Sequence, residues 1–292
     1  MQAAKKYQIF IAALYIISIS LILFFLIDGI SFYFTPYNLR PRHDEYRQLR
    51  PAGDTGHAFG IIGSAMMLFM LLYSLRKRTA VFKKWGHLSH WLDIHIYFGI
   101  VGPLLVILHT SFKVQGLVAV SFWSMITVAL SGILGRYLYL QIPRNFDGDE
   151  LTDSELKNTY SRMTDDLSKT APIDDKILAT IESEIMPPPP TTVGLFGAVW
   201  FIFIDDISRR FRGGKIIPKY SSLLKLPPNK VRQLTNLIKK RALLRRKIHF
   251  INQVQQLFHY WHVFHKPFAI IMYIVMLVHV SIAFWLGYTW IF

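Results

Sequence analysis

The sequence predicts an all-α integral membrane protein with about five transmembrane helices. Composition is the first reason. Of 292 residues, 52% are hydrophobic and only 17% are charged, with a mean hydropathy of +0.31; soluble domains carry about 25% charge. The second reason is five uncharged runs near 7–29, 57–75, 93–112, 116–138 and 265–289, each close to the ~20 apolar residues that cross a bilayer. The third is the uneven placement of Lys and Arg between those runs, the usual mark of membrane topology.

Span one follows Lys5 and Lys6. It is longer than a signal-peptide core and no small-residue cleavage site follows it, so it is expected to be retained. The 30–56 loop mixes Arg40, Arg42, Arg47 and Arg50 with Asp44, Glu45 and Asp54. Span two carries Gly56, Gly60 and Gly63, a small-xxx-small face suited to close helix packing. Arg76, Lys77, Arg78, Lys83 and Lys84 separate it from span three, where Pro103 should introduce a bend. The turn to span four has only Lys113, and the segment after span four is strongly basic. The positive-inside rule then puts the N-terminus in the cytoplasm and the C-terminus outside. Residues 1–140 would hold spans one to four, 141–262 a helical cytoplasmic or interfacial insertion, and 263–292 the final span.

Cysteine is absent, which excludes disulfides, thiolate-held iron–sulfur clusters, c-type haem attachment and Cys-based zinc sites. The net charge of +15 is expected to meet the anionic surface of the bilayer. No nucleic-acid recognition motif accompanies it, so nucleic acid is not expected as a partner.

HIYFGIVGPLLVILH runs from 95 to 109, and HKPFAIIMYIVMLVH from 265 to 279. Each begins and ends with histidine. A spacing of 14 residues is a rise of about 21 Å, and the two rings fall about 40° short of four whole turns. Both rings therefore lie on nearly one face, separated by most of the hydrocarbon thickness. Under the topology above, spans three and five are parallel. His95 and His265 then share the inner depth, and His109 and His279 the outer depth. An imidazole on each side of a porphyrin iron makes a six-coordinate haem suited to electron transfer. The expected cofactors are thus two haem b groups, the inner iron held by His95 and His265 and the outer by His109 and His279. A lone intramembrane His can instead bond across helices, but ionisable groups within spans are functional by default. Zinc fits less well, because two His underfill a tetrahedral site.

Other residues are read around this quartet. Gly99 and Gly102 lie between the histidines of span three, and Gly132 and Gly135 on span four, where small residues would leave room for a flat macrocycle; ordinary helix packing explains them equally. Arg136 either pairs with a haem propionate or snorkels at the interface, and Lys113 has the same two readings at the outer depth. His57 opens span two at the outer depth, where it lines a quinone pocket, ligates a further haem or sits at the interface. His87, His90, His259 and His262 read as interfacial, with any of them a substitute for a quartet member. His43 and His249 read as surface residues.

Two His pairs on parallel helices with one helix between them resemble the dihaem b-type cytochromes, including the ferric-reductase-like transmembrane superfamily. The resemblance rests on His95, His109, His265 and His279 and covers spans two to five, about a third of the chain. GILGRYLYLQIPR, 132–144, is similar to segments of bacterial cytochrome b-like membrane proteins. The resemblance implies a haem-binding bundle in a bacterial inner membrane. It further implies transmembrane electron transfer as a subunit of a quinone-linked redox complex, with multihaem cytochrome or iron–sulfur subunits as partners. No flavin or nicotinamide domain follows span five, so electrons are expected from a quinol or a separate protein. A different class stays open: a haem-free scaffold or transporter subunit whose histidines bind protons or metal.

The 141–262 insertion departs from the compact family order. Thr152 and Glu155 in LTDSEL form a capping box. From 145 to 190 there are 11 acids and 4 bases; from 205 to 250 there are 14 bases and 2 acids. The two halves either pair with each other, or the basic half docks a cytoplasmic redox protein. GLFGAVWFIFI, 194–204, is too short to span and is expected in the membrane interface or against the haem bundle. From Asn229 into span five the sequence reads as one long helix.

Overall fold

A computed structural model describes residues 2–79, 85–144, 150–170, 175–190, 192–212, 219 and 227–288. Lys83 and Lys84, counted above as loop charges, lie outside the described residues. Among the described residues there are helices and no strand, apart from an isolated bridge between Arg144 and Glu150. The helices are α1 (Gln2–Asp28), α2 (Ile30–Phe34), α3 (Tyr46–Leu49), α4 (Asp54–Arg78), α5 (Leu88–His109) and α6 (Leu117–Gln141), then α7 (Asp153–Thr170), α8 (Asp175–Ile185), α9 (Leu195–Arg212), α10 (Pro228–His249) and α11 (Ile251–Trp285). Five stretches are long and apolar enough to cross a membrane: Lys5–Asp28, Tyr46–Arg78, Leu88–His109, Leu117–Gln141 and Ile251–Trp285. The chain is an all-α multi-pass membrane protein, and lipid is its environment.

The chain divides into two compact units. One comprises Met1–Leu134 with Val263–Phe292, the other Gly135–His262. In the first, α4 and α5 approach at glycines. A Cβ on Gly63 would sit 2.9 Å from the Gly102 carbonyl oxygen, so backbone meets backbone there. Phe59, Val101 and Leu108 pack with Ile22 of α1 and with Phe32, Tyr33 and Leu49 of the following loop. A second core gathers five buried methionines, Met67 and Met70 of α4, Met125 of α6, and Met272 and Met276 of α11.

The 30–53 loop is folded down onto the end of α5. Arg40 is buried, and its guanidinium donates to the carbonyls of Thr35 (2.8 Å), Tyr33 (2.6 Å) and Ser111 (2.6 Å). Ser111 (φ 47°) and Phe112 (φ 60°) hold left-handed backbone conformations, costly for residues with a Cβ. Ser111 Oγ also donates to the Leu49 carbonyl at 2.7 Å. Outside the spans, burial and then the nearby Glu45 push the Tyr33 phenol up to about 12.

The second unit is built on α7, α8, α9 and α10, with the last turns of α6 and the first of α11. The Thr152–Glu155 box forms: the Thr152 N–H donates to Glu155 Oε2 at 2.8 Å. Leu167, Ile181, Ile185, Val231, Leu234 and Ile238 make its core. Acidic and basic segments do pair. Glu182 takes both Arg241 and Arg245, and Glu184 takes Lys219. Arg246, 2% exposed, reaches Asp205 Oδ2 at 2.5 Å and Asp206 Oδ1 at 2.7 Å. Burial, then the Arg246 charge, lowers the Lys247 amine, which donates to the Leu140 carbonyl at 2.7 Å.

Two expectations need correction. The stretch from Asn229 is two helices, because Phe250 (φ −101°, ψ 10°) leaves the helical region while its ring is fully buried with Leu138, Ala198 and Ile202. The last span ends at Trp285 and not at 289, because Gly287 turns left-handed (φ 83°). The Tyr288 N–H bonds the Ala283 carbonyl (3.0 Å) and the Gly287 N–H the Phe284 carbonyl (3.1 Å), a Schellman ending.

Candidate functional site

The two quartet histidines of α5 are tied to α4. His95 Nδ1 lies 3.2 Å from the Met70 carbonyl oxygen, and His109 Nδ1 lies 2.9 Å from that of Gly56. A carbonyl oxygen only accepts, so Nδ1 carries the proton in both rings. The neutral imidazole then presents its lone pair at Nε2.

His265 of α11 has a hydroxyl for its partner: its Nδ1 lies 2.8 Å from Ser131 Oγ on α6. The same hydroxyl reaches the Val128 carbonyl at 3.0 Å, and it either donates there and accepts from Nδ1–H or donates to Nδ1 itself. Carbonyls thus fix one tautomer in two of the four quartet members, His95 and His109. The fourth, His279, is exposed on α11, and among the described residues nothing hydrogen-bonds to it.

Two further histidines lie near His109. His57 and His109 have centroids 6.5 Å apart, and His279 lies within electrostatic reach of both. His57 Nε2 lies 3.2 Å from the Tyr288 carbonyl oxygen, so Nε2–H is its donor and its lone pair sits at Nδ1, opposite to His95 and His109. Among the described residues no three His, Asp or Glu converge as a metal cluster. At the other end of α5, Tyr73 packs against His95 with ring centroids 5.1 Å apart.

The glycines sort into two groups. A Cβ at Gly132 would stand 3.9 Å from His265 Cε1. Gly99 and Gly102 face α4 instead, toward Met70 Cε (3.1 Å) and the Gly63 carbonyl (3.2 Å). Their space is taken by helix packing and not reserved for a macrocycle. At Gly135 the Trp261 indole fills the space, 2.2 Å from where a Cβ would be. Arg136, one turn beyond Gly132, lies 5.8 Å over the Tyr139 ring. His262 Nδ1 donates to the Phe258 carbonyl of its own helix at 2.9 Å, and His249 meets the Pro190 carbonyl at 3.2 Å.

Sequence reasoning missed Ser131, which looked like an ordinary small residue beside Gly132. It also missed the particular work of Gly60. A Cβ at Gly60 would lie 2.6 Å from His109 Nδ1, so only glycine lets the ring reach the Gly56 carbonyl. The signal was the Gly56, Gly60, Gly63 series opposite a span with a terminal histidine.

Comparison with protein-family models, with curated proteins and with solved structures finds no match for this chain.

Proposed function

We propose that this chain carries electrons across its membrane on two haem b groups, one held by His95 and His265, the other by His109 and His279. One observation carries the reading: two spans repeat a 14-residue histidine spacing, two of those rings, His95 and His109, are fixed by carbonyls with Nε2 as the lone-pair nitrogen, and Ser131 holds His265 at Nδ1. That is the second-coordination arrangement of a metal-ligating histidine, with Nδ1–H given to a carbonyl or hydroxyl and Nε2 given to the metal. A haem with an imidazole on each side accepts and returns one electron at iron and leaves no position open for substrate.

The protein's own part is orientation and exclusion of water. The Met70 and Gly56 carbonyls and the Ser131 hydroxyl aim the rings. Gly60 leaves the edge of His109 its place. The buried methionine layer between the two histidine levels keeps the space apolar. His57, with Nε2 engaged at Tyr288, is assigned to the outer rim, where a quinone headgroup would find a hydrogen-bonding ring. The donor and acceptor are a quinone pool and redox proteins at one or both faces, in a bacterial inner membrane with the N-terminus cytoplasmic.

The test is a pyridine haemochrome assay on the purified protein with a reduced-minus-oxidised spectrum. Two b haems per chain are expected, and one in His109→Ala. No haem in protein from haem-sufficient cells would overturn the proposal and leave a histidine-bearing scaffold or transporter subunit.

A further inference from the structure

Helix α9 has two apolar faces, and one of them is exposed among the described residues. Ala198, Ile202 and Asp205 are buried, at 0%, 2% and 2% exposure. On the opposite side Phe196, Trp200, Phe203, Ile204 and Ile207 are exposed, Phe196 to 82% and Trp200 to 65%. At 100° per residue these five fall within an arc of about 100°. Water-facing helices do not place two phenylalanines, a tryptophan and two isoleucines there.

The depth of this stripe is fixed by its neighbour. Ala198 and Ile202 share one core with Leu138 and Ile142, at the end of α6, which is long and apolar enough to span. The Tyr137 ring lies 6.1 Å from that of Phe203, and Tyr137 donates to Asp206 at 3.1 Å. On α6, Tyr137 shares a face with Leu140, exposed at 51%. Exposed apolar surface at the end of α6 therefore adjoins the exposed stripe of α9.

We infer that α9 lies in the plane of the membrane, its Phe196–Ile207 stripe sunk into the headgroup–acyl boundary where α6 leaves the bilayer. Tryptophan favours that level because its ring is apolar and its N–H is polar. The helix then anchors the Gly135–His262 unit to the lipid surface, and it does so whether or not the chain carries haem.

Because the chain has no cysteine, a single introduced thiol takes a spin label uniquely. Phe196→Cys, Trp200→Cys and Ile207→Cys would be labelled in the full chain, reconstituted in phosphatidylcholine–phosphatidylglycerol liposomes. Leu130→Cys serves as the lipid standard and exposed Asn158→Cys as the water standard. The expected result is collision with oxygen and shielding from a water-soluble nickel chelate at all three sites, with a ratio near that of Leu130→Cys and several-fold above that of Asn158→Cys. Nickel accessibility like that of Asn158→Cys would place the stripe in water and overturn the inference. Sealing from both reagents would also overturn it, since a protein surface would then cover the stripe. Three exposed positions keep the answer independent of any one variant folding.

Discussion

Replacing Gly60 by alanine tests the haem reading at a residue that would never touch iron. The added Cβ would stand 2.6 Å from His109 Nδ1, 2.8 Å from Cε1 and 2.9 Å from Cγ. Ordinary contact begins near ~3.5 Å, so the ring must retreat by roughly 0.9 Å. It cannot do so and keep its 2.9 Å bond to the Gly56 carbonyl. Losing that bond costs about 1 kcal/mol, and overpacking adds about 1–3 kcal/mol. Together that is roughly 2–4 kcal/mol, or about a 30- to 700-fold loss in affinity at 1.4 kcal/mol per tenfold. Haem content should fall from two toward one per chain, and redox titration should lose one of two b-type components. Gly99→Ala is the control: its Cβ meets only the flexible Met70 tip at 3.1 Å, and both haems should remain. Two haems in Gly60→Ala, with unshifted potentials, would refute the assignment of His109 as a ligand.

Four further outcomes follow. Ser131→Ala removes the hydroxyl that holds His265 at Nδ1 and should weaken the other haem by about 10- to 100-fold, read by haem-release kinetics with the His109 site unchanged. Arg246→Ala removes the buried guanidinium that bridges Asp205 and Asp206 and should cost roughly 3–5 kcal/mol; limited proteolysis of the Gly135–His262 unit in micelles would register it. Tyr33 has a buried hydroxyl with no partner among the described residues. The unfolded chain ionises it near 10.0 and the folded chain only at about 12, so the native state holds more protons in that window and stability falls as pH rises through it. Tyr33→Phe should abolish that alkaline slope and, near neutral pH, leave thermal stability equal or higher. Arg232→Glu with Lys240→Glu, two exposed positions of α10, should slow electron delivery by a cytoplasmic donor at unchanged haem content. Unaltered transfer kinetics would remove α10 as a docking surface.

Hydropathy alone located the five spans, because burial of apolar surface in lipid is a property of composition over ~20 residues. The 14-residue histidine period was equally legible, since helical geometry is local. What escaped the sequence is non-local. Nothing near position 131 says that its hydroxyl meets a ring 134 residues away. Gly99 and Gly102 look like space for a cofactor until α4 is seen lying on them. The break at Phe250 was invisible because the residues on either side favour helix; the core that buries its ring comes from α6 and α9. Capping at Thr152 was readable because both partners lie within one turn.

The Arg40 clasp has a consequence for how the protein is made. Among the described residues its guanidinium bonds to carbonyls and to no carboxylate, and one of those carbonyls is Ser111, 71 residues further along the chain. During synthesis that oxygen does not exist until span three has been translated and inserted. The 30–53 loop must therefore stay unlatched while the early spans enter the membrane, and it closes only after α4 and α5 have paired. Closure is then a late assembly checkpoint. A chain that fails to seat His109 against Gly56 would present an open, protease-accessible loop where quality control can find it.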